Sequence, residues 1–135
     1  MMSYFWQFII AMAIFLAVDA TWLATVGRSI YFVELAGMLK DQPNFPIALI
    51  FYVIFVMGLV GFVINPAMIA GDVKFAIKMG AFFGLVSYAT YDLTNLASLK
   101  GFTTRIAMID LAWGAFLSAT VSSLTVLALR FFKLG

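Results

Sequence analysis

Residues 47–64 carry no charged side chain, and their most polar group is the phenol of Tyr52. A segment this apolar has few structural options. In a bilayer every backbone N–H and C=O must be satisfied internally, and a single helix does that. At ~1.5 Å per residue the run covers most of a ~30 Å hydrocarbon core. Segments of related character occupy 5–26, 79–99 and 106–129. The chain is 65% hydrophobic and 10% charged, with a mean hydropathy of +1.11. A soluble domain of this size could not cover that much apolar surface with so few charges. The sequence therefore predicts an all-α membrane protein, a single domain over 1–135, folded as a four-transmembrane-helix antiparallel bundle with short loops. The first segment lacks a basic leader and a small-residue cleavage site and contains Asp19, so it reads as a retained helix.

The punctuation fits this division. Tyr4 and Trp6 suit an interfacial aromatic belt. Residues 29–40 predict an interfacial helix or a continuation of the first span, and 41–46 a turn in which Pro46 opens the next helix. Asn65-Pro66 is expected to end the second span, because a residue before proline is pushed out of the α region. Gly71, Asp72 and Lys74 form a short link. Gly80 and Gly84 make a GxxxG pair, and Gly114, Ser118 and Ser122 repeat small residues every four positions, which allows close helix approach in lipid. Lys100-Gly101 stops the third helix, and Thr103 or Thr104 caps the fourth.

Against this background the stretch 87–99 stands out, since it sets Tyr88, Tyr91, Asp92 and Asn95 inside an apolar helix. A carboxylate at the centre of a spanning helix costs about 2.5–3.5 kcal/mol on insertion scales, so such residues are functional candidates once partners can be named. Two more aspartates, Asp19 and Asp110, lie at similar depth in apolar segments. Four antiparallel spans place all three in one half of the bilayer, Asp19 and Asp92 ~10 Å from the nearer end and Asp110 ~6 Å. Asp19-x-x-Trp22 and Asp110-x-x-Trp113 repeat one spacing, and Asp92-x-x-Asn95 echoes it. Residues three apart share a helix face. Because the first and fourth helices run oppositely, Trp113 falls near the depth of Asp19 and Trp22 near that of Asp110. An indole N–H is only a donor and suits the facing carboxylate. Tyr88 extends the third helix's stripe, and Tyr52 lies in the same half.

Asp19-x-x-Trp22-Leu23, Phe51-Tyr52, Asn65-Pro66, Gly80-Ala81, Gly84-Leu85, the run from Tyr88 to Ala97, and Asp110-x-x-Trp113-Gly114 together resemble a bacterial domain-of-unknown-function family, numbered 2177. The resemblance covers nearly the whole chain and is most specific in Tyr91-Asp92-Leu93-Thr94-Asn95-Leu96-Ala97. It implies a small four-helix protein of the bacterial inner membrane and assigns no catalytic residue.

Composition narrows the chemistry. With neither cysteine nor histidine there is no thiolate, no disulfide and no imidazole base or ligand. A net charge of +2 gives no reason to invoke nucleic acid, because basic residues flanking spans are ordinary. No cofactor is predicted. If a metal binds, oxygen-only ligation by Asp19, Asp92 and Asp110 selects a hard cation. Four readings remain open. The acids can be interhelical hydrogen-bond glue, or can pair with Arg28 and Arg105 reaching in from the interface. They can bind or translocate a proton, a cation or a small solute, with the aromatic rings as a cation–π box. They can serve an intramembrane enzyme acting on lipid or isoprenoid, although no recognised catalytic spacing is present. Or the protein can be an accessory subunit of a larger membrane complex. A pore through so few helices predicts a homo-oligomer. If Arg28 and Arg105 serve the acids, the basic residues left near Lys74, Lys78, Arg130 and Lys133 put both termini in the cytoplasm.

Overall fold

The first helix, α1 (Met2–Ala24), ends in a turn at Thr25 and is followed by α2 (Val26–Glu34). The structure is a computed structural model and describes residues 2–34 and 44–134. Residues 35–40 of the expected interfacial segment and 41–43 of the expected turn lie outside the described residues. From Asn44 onward the local chemistry is plain. The Asn44 side chain accepts a hydrogen bond from the Ile47 N–H at 3.2 Å, and Pro46 sits in the first turn of α3 (Phe45–Leu59).

The second apolar run does not stop at Asn65-Pro66, contrary to expectation. The helix widens into a π turn over Val60–Ile64 and continues as α4 (Asn65–Ala70). Asn65 keeps helical dihedrals, and its N–H reaches back five residues to the Val60 carbonyl. The proline, which lacks an N–H, is thus absorbed in the first turn of α4. The chain then turns at Gly71, whose φ of 66° is left-handed. Asp72 caps α5 (Val73–Ser98) by accepting the Lys74 N–H at 2.9 Å. The third helix therefore begins six residues before the expected 79, because this cap and the preceding glycine define its start. Gly101, at φ 82°, ends the α5 connection, and Thr103 rather than Thr104 caps α6 (Thr104–Phe131) through the Ile106 N–H.

Three of these helical stretches, Tyr4–Ala24, Phe45–Ala70 and Thr104–Phe131, are long and apolar enough to cross a membrane. Helix α5 is as long, but Lys74, Lys78, Asp92, Asn95 and several hydroxyls dilute it. Among the described residues the fold is entirely helical. Large apolar side chains such as Phe45, Ile54, Phe62 and Phe131 lie on the outside, as a lipid-facing surface requires.

Helix α5 packs closely on α6, and the two small-residue stripes meet. A Cβ added at Gly84 would lie 2.1 Å from the Gly114 carbonyl oxygen, and one at Gly80 2.8 Å from that of Ser118. Hydrogen at these positions is what lets the backbones approach. Phe15 on α1 meets Phe55 on α3, and Leu59, Val63, Leu117 and Val121 fill the same core. Away from the acids, Gln7 on α1 is almost fully buried and donates to the Asn65 side chain at 2.9 Å, which in turn donates to the Tyr4 hydroxyl at 3.2 Å. The π turn brings this asparagine to α1. Replacing Gln7 and Asn65 by leucine, singly and together, is expected to give a coupling of about 0.6 kcal/mol in a double-mutant cycle read by detergent unfolding.

Candidate functional site

Asp19, buried on α1, is held by one donor on each carboxylate oxygen. The Tyr52 hydroxyl from α3 donates to Oδ2 at 3.3 Å, and Trp113 Nε1 from α6 donates to Oδ1 at 3.2 Å. Trp113 also stacks on Trp22, with ring centroids 4.3 Å apart and planes within 11°. The two D-x-x-W segments thus meet face to face, with each tryptophan crossing toward the other helix. Phe15 packs its edge against Tyr52 at 5.1 Å, and Phe55 packs similarly against Tyr88 at 6.0 Å, so the phenol rings rest on core aromatics.

Two glycines make room for these rings. A Cβ on Gly27 would lie 2.6 Å from Trp22 Nε1, and one on Gly114 would lie 2.3 Å from Tyr88 Cγ. The second contact explains the order Trp113-Gly114: one residue supplies an indole to α1, and the next admits a phenol from α5.

Asp92 is 1% exposed and lies near Asp110 across the α5–α6 contact. Its Oδ2 is buried without a donor. Asp110 is half-buried and also lies close enough to Asp19 and Tyr91 to act on them electrostatically. Between these elements lies a cavity of about 370 Å³, open on one side. Asp19, Asp110, Trp22, Trp113, Tyr52, Tyr88 and Tyr91 line it, together with Leu23, Phe51 and Ser87. Asp92 stands behind Asp110 rather than on the cavity wall. Arg28 and Arg105 are exposed and are not among the lining residues; Arg105 borders a separate recess with Ser29, Ile30 and Val33 on α2.

Residues 4–127 match the model of a family described as predicted membrane protein, DUF2177. The chain belongs to this family. The match takes in every residue of the site from Asp19 to Trp113, and membership establishes a membrane protein without naming its chemistry. Comparison with curated proteins and with solved structures finds no match.

In this DUF2177 chain, sequence reasoning brings forward most of the cavity wall but passes over Leu23, Phe51, Ser87, Gly27 and the ring-seating role of Gly114. Leu23 and Phe51 carry no signal that separates a cavity wall from lipid contact. Ser87 lies at the head of the polar stretch and is the one that could have been found. Among the described residues, no three His, Cys, Asp or Glu side chains are grouped to hold a metal ion.

Proposed function

We propose that the cavity is a membrane-embedded binding site for a small organic cation, which the protein carries or conducts across the inner membrane. One observation carries this reading: two carboxyl groups and six aromatic side chains from four helices line one cavity of about 370 Å³, a volume typical of small-ligand sites. Aromatic faces attract cations without the tight oxygen shell that a hard metal ion demands, by about 2 kcal/mol or more where water is excluded. Asp19 supplies the counter-charge, held in place by its two donors. In this reading α5 is a fourth span despite its polar residues, because its dense packing on α6 shields Asp92. Both termini face the cytoplasm, and the cavity lies in the outer half of the bilayer. A reporter fused to the C-terminus is expected to be active only in its cytoplasmic form.

The binding claim is tested with choline as a probe, added to the protein in nanodiscs of phosphatidylcholine and phosphatidylglycerol. Because Trp22 and Trp113 line the cavity, saturable quenching of indole fluorescence is expected. Asp19→Asn keeps the shape of the site and is expected to weaken binding by roughly 30-fold, the equivalent of about 2 kcal/mol. Unchanged affinity in this variant would contradict the reading.

A further inference from the structure

Trp22 and Trp113 border two spaces, not one. The first is the cavity that Asp19 lines. The same two indoles also border a more open recess of about 400 Å³, whose other walls are Ala17, Val18, Thr21 and Thr25 of α1. Its threonines do not make it polar. Thr21 Oγ1 donates to the Ala17 carbonyl at 2.8 Å, and Thr25 Oγ1 to the Thr21 carbonyl at 2.6 Å, so each hydroxyl is turned into its own helix. Hydrocarbon is left as the recess wall.

Ala17, Thr21 and Thr25 are exposed side chains of a helix long and apolar enough to cross the membrane, so the recess opens to lipid. From Ala17 to Thr25 it follows α1 for ~12 Å along the axis. The aromatic border is held on both sides. Trp22 and Trp113 stack with centroids 4.3 Å apart, and Trp113 Nε1 is tied to Asp19 at 3.2 Å. Trp22 lies against Gly27, where an added Cβ would come within 2.6 Å of its Nε1. A carboxyl-lined cavity and an apolar groove therefore share one aromatic border.

We propose that the site takes an amphiphilic cation with a single alkyl tail, its ammonium head in the cavity beside Asp19 and its tail in the α1 recess. This inference rests on the cation reading above and names the substrate class of that same site. The pairing of the two surfaces carries it. A head of fixed positive charge needs a carboxylate and aromatic faces, which the cavity offers. An alkyl chain needs only apolar contact, which the recess offers without the chain leaving the hydrocarbon region. The tail passes along the tryptophan border and continues into lipid, so the ligand reaches the site from within the membrane. A compact cation such as choline fills the head site alone. One groove along one helix suits one tail and not the two of a bilayer phospholipid.

The test uses dodecyltrimethylammonium carrying a photoreactive diazirine at the end of its tail, added to the protein in nanodiscs at a small mole fraction of the lipid. After illumination, peptide mass spectrometry is expected to find the label on Ala17, Thr21 or Thr25. Excess choline should remove it by taking the head site, and Asp19→Asn should reduce it because the head is no longer held. Thr21→Phe fills the recess and is expected to weaken displacement of labelled choline by dodecyltrimethylammonium roughly tenfold. The variant's affinity for choline itself should change by less than about twofold, as for a surface substitution away from the head site. Labelling of the recess that choline leaves unchanged is ordinary lipid contact and overturns the tail site, as does choline-sensitive labelling confined to Leu23 or Phe51. Both of these results leave the cation site standing. Absence of choline binding in wild type overturns the cation reading and this one together.

Discussion

Gly84→Leu is expected to separate α5 from α6 and remove most of the protein's resistance to unfolding in detergent. The position has no space to give: even a Cβ would lie 2.1 Å from the Gly114 carbonyl oxygen, 2.4 Å from Ser118 Oγ and 2.7 Å from Ser118 Cβ. The first of these is backbone, so no rotamer change relieves it. Overpacking in well-packed cores typically costs about 1–3 kcal/mol, and a backbone clash in a helix pair held by close approach belongs at or above the upper end. The site should fail with the helix pair, because Ser87, Tyr88 and Tyr91 line it from α5. Gly61→Leu is the control. A Cβ there meets nothing within 4 Å, and the substitution should change stability by less than about 0.5 kcal/mol. Both outcomes can be read from indole fluorescence during titration with denaturing detergent.

Trp113→Ala should cost nearly as much, by a different route. It removes the donor to Asp19 Oδ1, a hydrogen bond to a charged group worth about 1.5–3 kcal/mol, and the stack on Trp22, worth about 0.5–1.5 kcal/mol. A loss of about 3 kcal/mol in stability and of at least 100-fold in choline affinity is expected. Trp113→Phe separates the two contributions. The ring still stacks but donates nothing, so stability should recover by about 1 kcal/mol while choline binding stays weak. Full recovery of binding with phenylalanine would mean that the indole N–H does not position Asp19.

Much of this site can be read before any coordinates, for reasons particular residues make clear. Charge in a lipid-facing chain is so costly that Asp19, Asp92 and Asp110 identify themselves. The repeated D-x-x-W spacing, on helices running in opposite directions, is enough to bring Trp113 to Asp19. The two small-residue stripes announce the α5–α6 contact because glycine and serine in a membrane helix have few other uses. Other features are silent. Nothing in Asn65-Pro66 says that a π turn before it will carry the helix through the proline, since the signal is a change in hydrogen-bond register and not in residue type. The early start of α5 turns on one side-chain cap, Asp72, at a place where Lys74 and Lys78 lower the hydropathy. Gly27 and Gly114 make room for rings from distant positions, which no local pattern encodes. Arg28 and Arg105, attractive as charge partners by depth alone, are exposed and are not among the residues that line the cavity.

The central claim is that charge, and not merely shape, is recognised in the cavity. It is tested most directly by comparing choline with dimethylbutanol, in which carbon replaces the nitrogen at nearly equal size, for displacement of labelled choline from the wild-type protein in nanodiscs. The aromatic wall and Asp19 should favour the cation by roughly 30-fold, about 2 kcal/mol. Equal displacement by the neutral alcohol would contradict the account, for it would make the cavity an apolar pocket and its acids structural.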